Sequence, residues 1–354
     1  LNLMNLYRES GSRVQRASLG TKLERPFTTS DGQLFNTFVS LRGDAYYSNV
    51  NHVSGVSVNS GGAGRLYPQA GIEWRYPFSR RFGHSTAIIE PKLAVYAAPN
   101  GGNPARIPDN DSQTFEFTDA DLFTPDRLYG YDLVDGGQRA DYAIHGSWYA
   151  DNGYRADALF GQSYRFQKSS VFGPGTGLQD QASDYVGHVT FSPSDFLSFG
   201  YHFRLSQRSL QLEHQDVSTT VGPYWLKLNL GYVQLANDPR DQQSALKQIT
   251  ANVTWWIDNY WSINVGTVRN LGNSTSEVST PANLNTTLFG ETAGNSLNNS
   301  ISVSYTDECI TFRTSFIQSG IRDRDVKPGD AVVFQLVFKN LGEINLPTIK
   351  SGGG

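Results

Sequence analysis

The chain has 354 residues, a formal net charge of -4, 18% charged residues and 12% aromatic residues. Soluble domains usually carry about 25% charged residues, so this composition is atypical of one. No run of 18 apolar residues occurs, which excludes a transmembrane helix, and no basic run indicates nucleic-acid binding. The composition is compatible with a transmembrane β-barrel, because only alternate residues of a barrel strand face lipid.

Apolar and polar residues alternate along most of the chain. From Arg65 to Phe78 the even positions are apolar or aromatic, whereas most odd positions are polar. A period of two predicts a strand with one apolar and one polar face. The pattern predicts sixteen strands, at 1–7, 12–25, 33–47, 64–77, 84–97, 139–149, 153–166, 183–191, 195–206, 209–217, 223–235, 246–257, 259–269, 297–305, 309–318 and 331–339. Many have 9–14 residues, which suits a tilted membrane crossing better than a soluble sandwich, where strands typically have about 5–6 residues.

The connections between these strands alternate in length. The short ones are 26–32, 78–83, 150–152, 192–194, 218–222, the single residue Asp258, and 306–308. The others are mostly long, at 48–63, 98–138, 167–182, 236–245, 270–296 and 319–330, with two short exceptions at 8–11 and 207–208. Bacterial outer-membrane barrels have short periplasmic turns and longer outer loops. The sequence therefore predicts an all-β fold, an antiparallel transmembrane β-barrel in the outer membrane of a Gram-negative-type bacterium.

The longest connection, 98–138, contains a distinctive run of residues. It reads S-Q-T-F-E-F-T-D-A-D-L-F at 112–123 and R-L-Y-G-Y-D-L-V-D-G-G-Q-R-A-D-Y at 127–142. This run resembles the lipopolysaccharide-assembly outer-membrane protein family, LptD, whose members carry F-E-F, then N-L-F, then R-[FL]-x-G-Y-D-x-x-E-G-G-x-R-x-x-Y. Asp121 stands where the family often has Asn, and Asp135 where it often has Glu. The residues that carry the resemblance are Phe115, Glu116, Phe117, Leu122, Phe123, Arg127, Gly130, Tyr131, Asp132, Gly136, Gly137 and Arg139.

The composition of the same connection predicts a shaped loop that folds over or into the barrel lumen. Glycine allows close backbone approach and positive φ, proline fixes φ, and phenylalanine side chains supply apolar anchors. Carboxylates lie near Arg127 and Arg139 in the sequence. Two interpretations remain open: an ion-paired loop that closes the pore, and a gate that yields to a passing lipid.

The end of the chain also resembles the LptD family. The run Y-T-D-E-C at 305–309 is similar to its late cysteine site, and F-Q-L-V-F-K-N-L-G at 334–342 is similar to its last strand. The resemblance implies that residues 1–350 are the C-terminal portion of a barrel of about 26 strands, with 351–354 a tail or linker. The family's signal peptide, N-terminal periplasmic jellyroll and earlier strands are absent from this sequence.

Cys309 is the only cysteine in the chain. A lone cysteine is often buried and inert, but in an oxidising periplasm it suggests a partner elsewhere. Its position directly after a short turn places it at the predicted periplasmic edge. The resemblance implies a disulfide to a domain upstream of this sequence, and Glu308 occupies the place of a second adjacent cysteine.

The resemblance implies a lipid translocon with no cofactor and no catalytic residue. In the family, lipopolysaccharide arrives from a periplasmic bridge protein, and its acyl chains reach the membrane lipids through a lateral opening between the first and last strands. A lipoprotein plug, LptE, occupies the lumen. We expect the strand 331–339 to be the last one and to form the gate, with four apolar side chains facing lipid: Val332, Phe334, Leu336 and Phe338.

Other functions remain open on the residues alone. A diffusion porin or a plugged transporter has the same strand pattern. A membrane-embedded hydrolase is weaker, although His145 and Ser147 share one face of the strand 139–149. The six histidines show no metal-binding spacing such as H-E-x-x-H, and there is no G-x-S-x-G motif.

Overall fold

The computed structural model describes residues 1–7, 12–50, 61–112, 116–169, 171–236, 246–271, 296–320, 328–339, 342–345 and 349–351. The described chain is almost entirely β-structure in one antiparallel sheet. Its strands are β1 (Asn2–Leu6), β2 (Ser12–Thr28), β3 (Leu34–Val50), β4 (Gly61–Arg75), β5 (Phe78–Phe82), β6 (Ser85–Ala97), β7 (Gln138–Ala150), β8 (Arg155–Arg165), β9 (Tyr185–Ser194), β10 (Leu197–Leu205), β11 (Leu212–Val221), β12 (Leu226–Leu235), β13 (Leu246–Trp256), β14 (Trp261–Asn270), β15 (Ser296–Thr306), β16 (Ile310–Ser319), β17 (Gly329–Phe338), β18 (Gly342–Asn345) and β19 (Ile349–Ser351). One 3-10 turn, Asp119–Asp121, lies between β6 and β7.

Each strand pairs with the next one along the chain, which gives a meander. Two interruptions depart from this rule, because β4 and β5 both pair with β6, and β18 and β19 both pair with β17. The nineteen segments therefore occupy seventeen positions in the described sheet. The all-β antiparallel prediction is confirmed, and each of the sixteen predicted strands has a counterpart.

Several predictions about strand ends are wrong. The connections predicted at 192–194 and 218–222 belong mostly to β9 and β11, and these hairpins turn at 195–196 and 222–225. The connection predicted at 78–83 is mostly strand, because β5 continues the line of β4 beside β6 and the hairpin turns at 83–84. The strand predicted at 331–339 is not the last one, since β18 and β19 pair with the free edge of β17. Ser351, assigned to the tail, is the last residue of β19. Short strands of three or four residues, such as β18 and β19, lie below the length at which alternation identifies a strand.

The two faces of the sheet differ as the alternation predicts. In β4, Leu66 is 68% exposed, whereas its neighbours Arg65 and Tyr67 are 8% and 4% exposed. In β7, Ile144 is 56% exposed and Asp141 is fully buried. The apolar face therefore points outward and the polar face points inward, where protein covers it. This is the reverse of a soluble protein, and it suits a sheet whose outer face meets lipid.

Short and long connections lie at opposite ends of the strands, and each of these two ends is called here an edge by the turns it carries. On one edge they are short, as at 29–33, 151–154, 257–260 and 307–309. On the other edge lie the long ones, including 98–137 and 166–184. Among the residues described, no helix is long and apolar enough to cross a membrane.

The sheet curves around the long loop, which we define as residues 98–137. Asp111 of this loop bonds to Arg16 in β2, and Glu116 bonds to His214 in β11. Along the sheet, β2 and β11 are eight strand spacings apart, which is about 38 Å at about 4.8 Å each. Five residues of chain reach at most about 18 Å. The side chains in these two contacts can span the rest of that distance only if the sheet bends. The strands from β2 to β11 therefore form a concave inner wall with the long loop inside it.

Candidate functional site in the long loop

The base of the long loop is closed by two glycines that allow backbones to touch. The amide of Ala98 donates to the carbonyl of Gly137 at 3.0 Å, and the amide of Gly137 donates to that of Pro99 at 3.1 Å. A Cβ at Gly136 would lie 2.4 Å from the carbonyl oxygen of Gly101. No side chain fits there, which gives a physical reason for the G-G pair.

A second glycine requirement lies at the turn 129–132. Gly130 has a φ of 85°, and a Cβ there would lie 2.4 Å from the Asp111 carboxyl. That carboxylate accepts hydrogen bonds from the backbone amides of Tyr131 and Asp132, at 3.2 and 3.0 Å. The turn thus folds around the Asp111 side chain and presents Tyr131 and Asp132 to the wall.

Arg127 is the central cation of the loop and is 1% exposed. Its guanidinium donates to the Asp141 carboxylate at 2.6 Å, to the Ser163 hydroxyl at 2.9 Å and to the carbonyl of Leu122 at 3.1 Å. It also lies over the ring of Phe117, 5.0 Å from the centroid. Two strands of the wall, β7 and β8, therefore hold the loop through one side chain.

A neighbouring ion-pair group joins Asp135 of the loop to two wall arginines. The Asp135 carboxylate accepts from Arg139 at 2.7 Å, and from Arg165 through its other oxygen. Burial raises the pKa of the Asp135 carboxyl, but the charges of Arg139 and Arg165 outweigh it and hold the pKa below its usual range. Arg139 also donates to Asp141 at 3.0 Å, so the two groups form one network.

Asp132 connects the loop to the far side of the wall. Its carboxylate is fully buried and accepts from Arg16 of β2 at 2.7 Å and from the Tyr46 hydroxyl of β3 at 3.0 Å. The carbonyl of Tyr131 accepts from Arg65 of β4 and from the same Tyr46 hydroxyl at 3.0 Å. The Tyr131 ring lies under the Arg16 guanidinium, 4.9 Å from its centre.

Glu116 makes the equivalent contact with β10 and β11. It accepts from Arg204 at 3.2 Å and contacts the imidazole of His214 at 2.7 Å. The Arg204 guanidinium also donates to the Asp184 carboxylate at 2.9 Å. The loop therefore has an ionic contact at both ends of the concave wall.

The apolar residues of the motif are anchors beneath these ion pairs. Phe117 and Leu122 are fully buried in a cluster with Leu159 and Val186 of the wall. Phe123 packs against a separate pair, Phe38 and Tyr96. The structure thus brings together every motif residue of the list except Phe115, which lies outside the described residues.

Sequence reasoning found the loop but not its partners on the wall. The missed residues are Arg16, Arg65, Asp141, Ser163, Arg165, Arg204 and His214. A usable signal existed, since each lies at a polar position of an alternating strand. A charged side chain on such a face needs a partner once it is covered, but no pattern in the sequence identifies the partner.

Other predicted site residues lie elsewhere. Cys309 is exposed in the turn between β15 and β16, on the short-turn edge as predicted; its disulfide stays a prediction. Val332, Phe334, Leu336 and Phe338 alternate along β17, on the same face as Phe312 and Phe316 of β16. Phe312 is 37% exposed, which fits an outward apolar face; the gating role of β17 also stays a prediction.

His145 and Ser147 do lie side by side on the inner face. The Ser147 hydroxyl donates to the Asp157 carboxylate at 2.6 Å, whereas His145 Nε2 is 3.4 Å away and itself bonds to Asp157 at 2.8 Å. The hydroxyl proton is therefore directed to a carboxylate and not to the imidazole that a serine nucleophile requires.

Chemically, the site consists of guanidinium–carboxylate pairs in a protected environment. Such pairs can exchange one anion for another without breaking a covalent bond. These pairs hold the loop against the inner wall.

Comparison with known proteins gives one informative match. A model of the family described as LptD, LPS transport system D, matches residues 1–261 of the chain. No curated protein matches. A mutant porin of Rh. blastica is 9% identical over 94% of this chain and 95% of that chain, with a TM-score of 0.36, and a structure described as "Asymmetric conductivity of engineered proteins" gives the same values. Another mutant of the Rh. blastica porin covers 87% and 86% with a TM-score of 0.33. At such TM-scores these structural likenesses carry no argument.

Proposed function

Because the chain belongs to the LptD family of lipopolysaccharide transport proteins, we propose that it is part of an outer-membrane translocon that inserts lipopolysaccharide into the outer leaflet. The observation that carries this proposal is the family match over residues 1–261, which include the whole long loop and its wall. With strands from upstream, the sheet closes into a barrel of about 26 strands.

The ion pairs suggest how the loop and the lipid exchange. Five wall arginines form ion pairs with loop carboxylates: Arg16, Arg42, Arg139, Arg165 and Arg204. Phosphate groups accept the same paired guanidinium hydrogen bonds as carboxylates do. A buried arginine left without a partner is costly, so the loop leaves the wall most easily when phosphates of the lipopolysaccharide replace its carboxylates. In this proposal, the ion-paired loop that closes the pore and the gate that yields to a lipid are two states of the same loop.

The strands beyond β11 offer a different lining for the rest of the path. Asn252, Thr254 and Asn264 form a hydrogen-bonded group on the inner face of β13 and β14, with distances of 2.8 to 3.3 Å. Neutral amides and hydroxyls can bond to the hydroxyl groups of sugars or to a protein plug without a charge to neutralise. We place the saccharide and an LptE-like lipoprotein plug against this part of the wall.

The lateral opening for the acyl chains is proposed at the C-terminal edge of the sheet. β16 and β17 pair over ten residues, whereas β17 pairs with β18 over four and with β19 over three. Pro347 lies between β18 and β19 and has no amide to donate. Unpaired backbone groups in lipid cost several kcal/mol each, so a seam opens where few pairs must break. This replaces the free edge of β17 as the expected gate.

The partners follow from the same proposal. Lipopolysaccharide arrives from a periplasmic bridge protein through the upstream domain, and in this proposal the exposed Cys309 forms a disulfide with that domain. In the full-length protein, Cys309 should be protected from alkylation until reductant is added. Complete alkylation of Cys309 in non-reduced native protein would contradict the pairing and leave the transport proposal intact.

A reversible crosslink tests whether the loop moves during transport. Gln69 of β4 donates its amide to the carbonyl of Pro125 in the loop at 2.8 Å, and neither residue belongs to an ion pair. Cells carrying Gln69→Cys with Pro125→Cys, treated with a reducible thiol crosslinker, should stop delivering new lipopolysaccharide to the surface, and reductant should restore delivery. The two single variants with the same reagent are the controls. Normal delivery by the locked double variant would show that the loop does not need to move.

A second crosslink tests the seam. Ala331 of β17 lies directly opposite Lys350 of β19, and Val333 lies opposite Ser315 of β16. Directly opposed strand residues are close enough for a disulfide. Ala331→Cys with Lys350→Cys should block delivery, whereas the matched pair Ser315→Cys with Val333→Cys should leave it unchanged. If both disulfide forms export normally, the acyl chains leave elsewhere.

A further inference from the structure

A second cluster on the inner wall lies outside the ion pairs described above. His188 of β9 and His202 of β10 are directly opposed in the strand register, so their side chains share the inner face. Their rings are 5.2 Å apart between centroids. Asp119, the first residue of the 3-10 turn in the long loop, lies against both: one of its oxygens is 2.7 Å from His188 Nδ1 and the other is 2.9 Å from His202 Nδ1.

These three side chains are a suitable ligand set for a transition metal. One ligand atom from each lies within 4.8 Å of the others. Two imidazoles and one carboxylate, with a water in the fourth position, are a common environment of zinc in proteins. A tetrahedral zinc ion with bonds of about 2.0 Å keeps its ligand atoms about 3.3 Å apart, so these side chains would need to shift by less than about 1 Å.

A second, independent observation concerns the far side of the His188 ring. Its Nε2 is 2.9 Å from an oxygen of Asp157, and Asp157 is held in turn by Ser147 at 2.6 Å and His145 at 2.8 Å. A histidine that binds a metal usually donates its other ring N–H to a carboxylate, which fixes the tautomer and orients the ring. This arrangement directs the Nδ1 lone pair of His188 to the position that Asp119 and His202 share.

The surroundings protect the cluster without sealing it. The side chains of Asp119 and His188 are 8% and 17% exposed, and that of His202 is 41% exposed. A partly open ligand leaves a path by which an ion and its water can enter. The residues come from β9, β10 and the loop, so an ion bound here would join the loop to the wall.

We propose that Asp119, His188 and His202 bind one divalent transition-metal ion of the zinc class, which fastens the long loop to the inner wall. The site is separate from the arginine–carboxylate pairs, and the proposal does not depend on what the protein transports. An occupied site would hold the loop in its docked state, and removal of the ion would loosen the 3-10 turn.

The test is zinc binding by the purified full-length protein in detergent, without a polyhistidine tag, after treatment with a chelator. Titration against a chromophoric zinc indicator should show one equivalent bound per chain. Asp119→Asn and His202→Gln should each weaken binding by at least about 100-fold, because each removes a ligand. Asp157→Asn should weaken it by about 10–100-fold, because it removes the carboxylate that orients His188. His214→Gln is the matched control, because it also removes a histidine that bonds to a loop carboxylate, and it should bind zinc as the wild type does.

Cobalt binding gives a readout that does not depend on how the variants fold. Co²⁺ bound to the wild-type protein should show the intense visible bands of a four-coordinate site, and zinc should remove them. The proposal is overturned if the wild type binds no stoichiometric zinc, or if Asp119→Asn and His202→Gln bind it as tightly as the wild type. A protein that binds no zinc can still deliver lipopolysaccharide, so a negative zinc result does not contradict the proposed function.

Discussion

The inner wall has two regions of opposite character. Under the long loop, between β2 and β11, it carries buried charges such as Arg16, Arg139 and Arg165, each bonded to a loop carboxylate. In β13 and β14 it carries amides and hydroxyls such as Asn252 and Asn264, which bond to each other. A charge taken out of water is tolerated only with a partner, so charged side chains lie where the loop supplies one. A neutral amide can bond to a neighbour or to water.

The largest effect should follow from removing a loop carboxylate. Asp135→Ala leaves Arg165 buried without its carboxylate partner, whereas Arg139 keeps Asp141, and an uncompensated buried charge costs about 3–5 kcal/mol. Urea unfolding in micelles and protease sensitivity of the long loop should both register the change. Asp151→Asn is the control, since Asp151 pairs with Arg81 on an exposed turn, where ion pairs contribute little. Equal responses of the two variants would remove the distinction between the covered wall and the exposed turns.

A smaller effect is expected from the turn glycine. Gly130→Ala forces a Cβ to within 2.4 Å of Asp111 at a φ of 85°, which should cost about 3 kcal/mol from strain and overpacking together. Gly153→Ala has a similar φ of 91° and nothing within 4 Å, so it should cost only about 1 kcal/mol. The difference between the two unfolding free energies measures the clash. A difference near zero would mean that the loop does not fold tightly around Asp111.

Acid should loosen the loop while it leaves the neutral wall unchanged. Burial raises the pKa of Asp111, Asp119 and Asp135, but their bonds to arginines, histidines or backbone amides outweigh it and lower each pKa. Because the folded pKa is depressed, their stabilisation is complete above the unfolded value of about 3.9 and is lost as the pH falls through the folded value. Asp109 and Asp126 act in the opposite sense, since burial raises the pKa of each, but they are two groups against three.

Amide hydrogen exchange checks this expectation. After correction for the intrinsic effect of pH on exchange, protection of 116–137 should fall below about pH 4, whereas protection of β13 should stay constant. A parallel loss in both regions would indicate global unfolding. Unchanged protection of the loop would mean that its docking does not depend on these carboxylates.

The smallest effect should come from the neutral wall. Asn252→Ala removes hydrogen bonds to Asn264 and Thr254, and a neutral hydrogen bond contributes about 1 kcal/mol. Urea unfolding should therefore shift slightly, with no change in the protease sensitivity of the long loop. A loss as large as that of Asp135→Ala would show that both regions depend equally on their inner contacts.

Much of the candidate site could be read from the sequence. The motif residues from Glu116 to Arg139 do lie in one loop on the inner face, and glycines such as Gly136 stand where backbones touch. The partners could not be read in this way, because Asp132 and Arg16 are 116 residues apart and nothing local specifies that they meet. The histidine cluster was missed for the same reason, since His188 and His202 become neighbours only through the pairing of β9 with β10.

The sequence by itself determined the strands and the direction of their faces. A period of two assigns each side chain to one face of a sheet, and the outward exposure of Leu66 beside buried Arg65 follows from it. Tertiary structure alone decided where the sheet bends, how the loop fits inside it, and that β18 and β19 cover the edge of β17. Those outcomes depend on contacts between residues far apart in the chain, where burial and charge pairing act in space and leave no periodic pattern in the sequence.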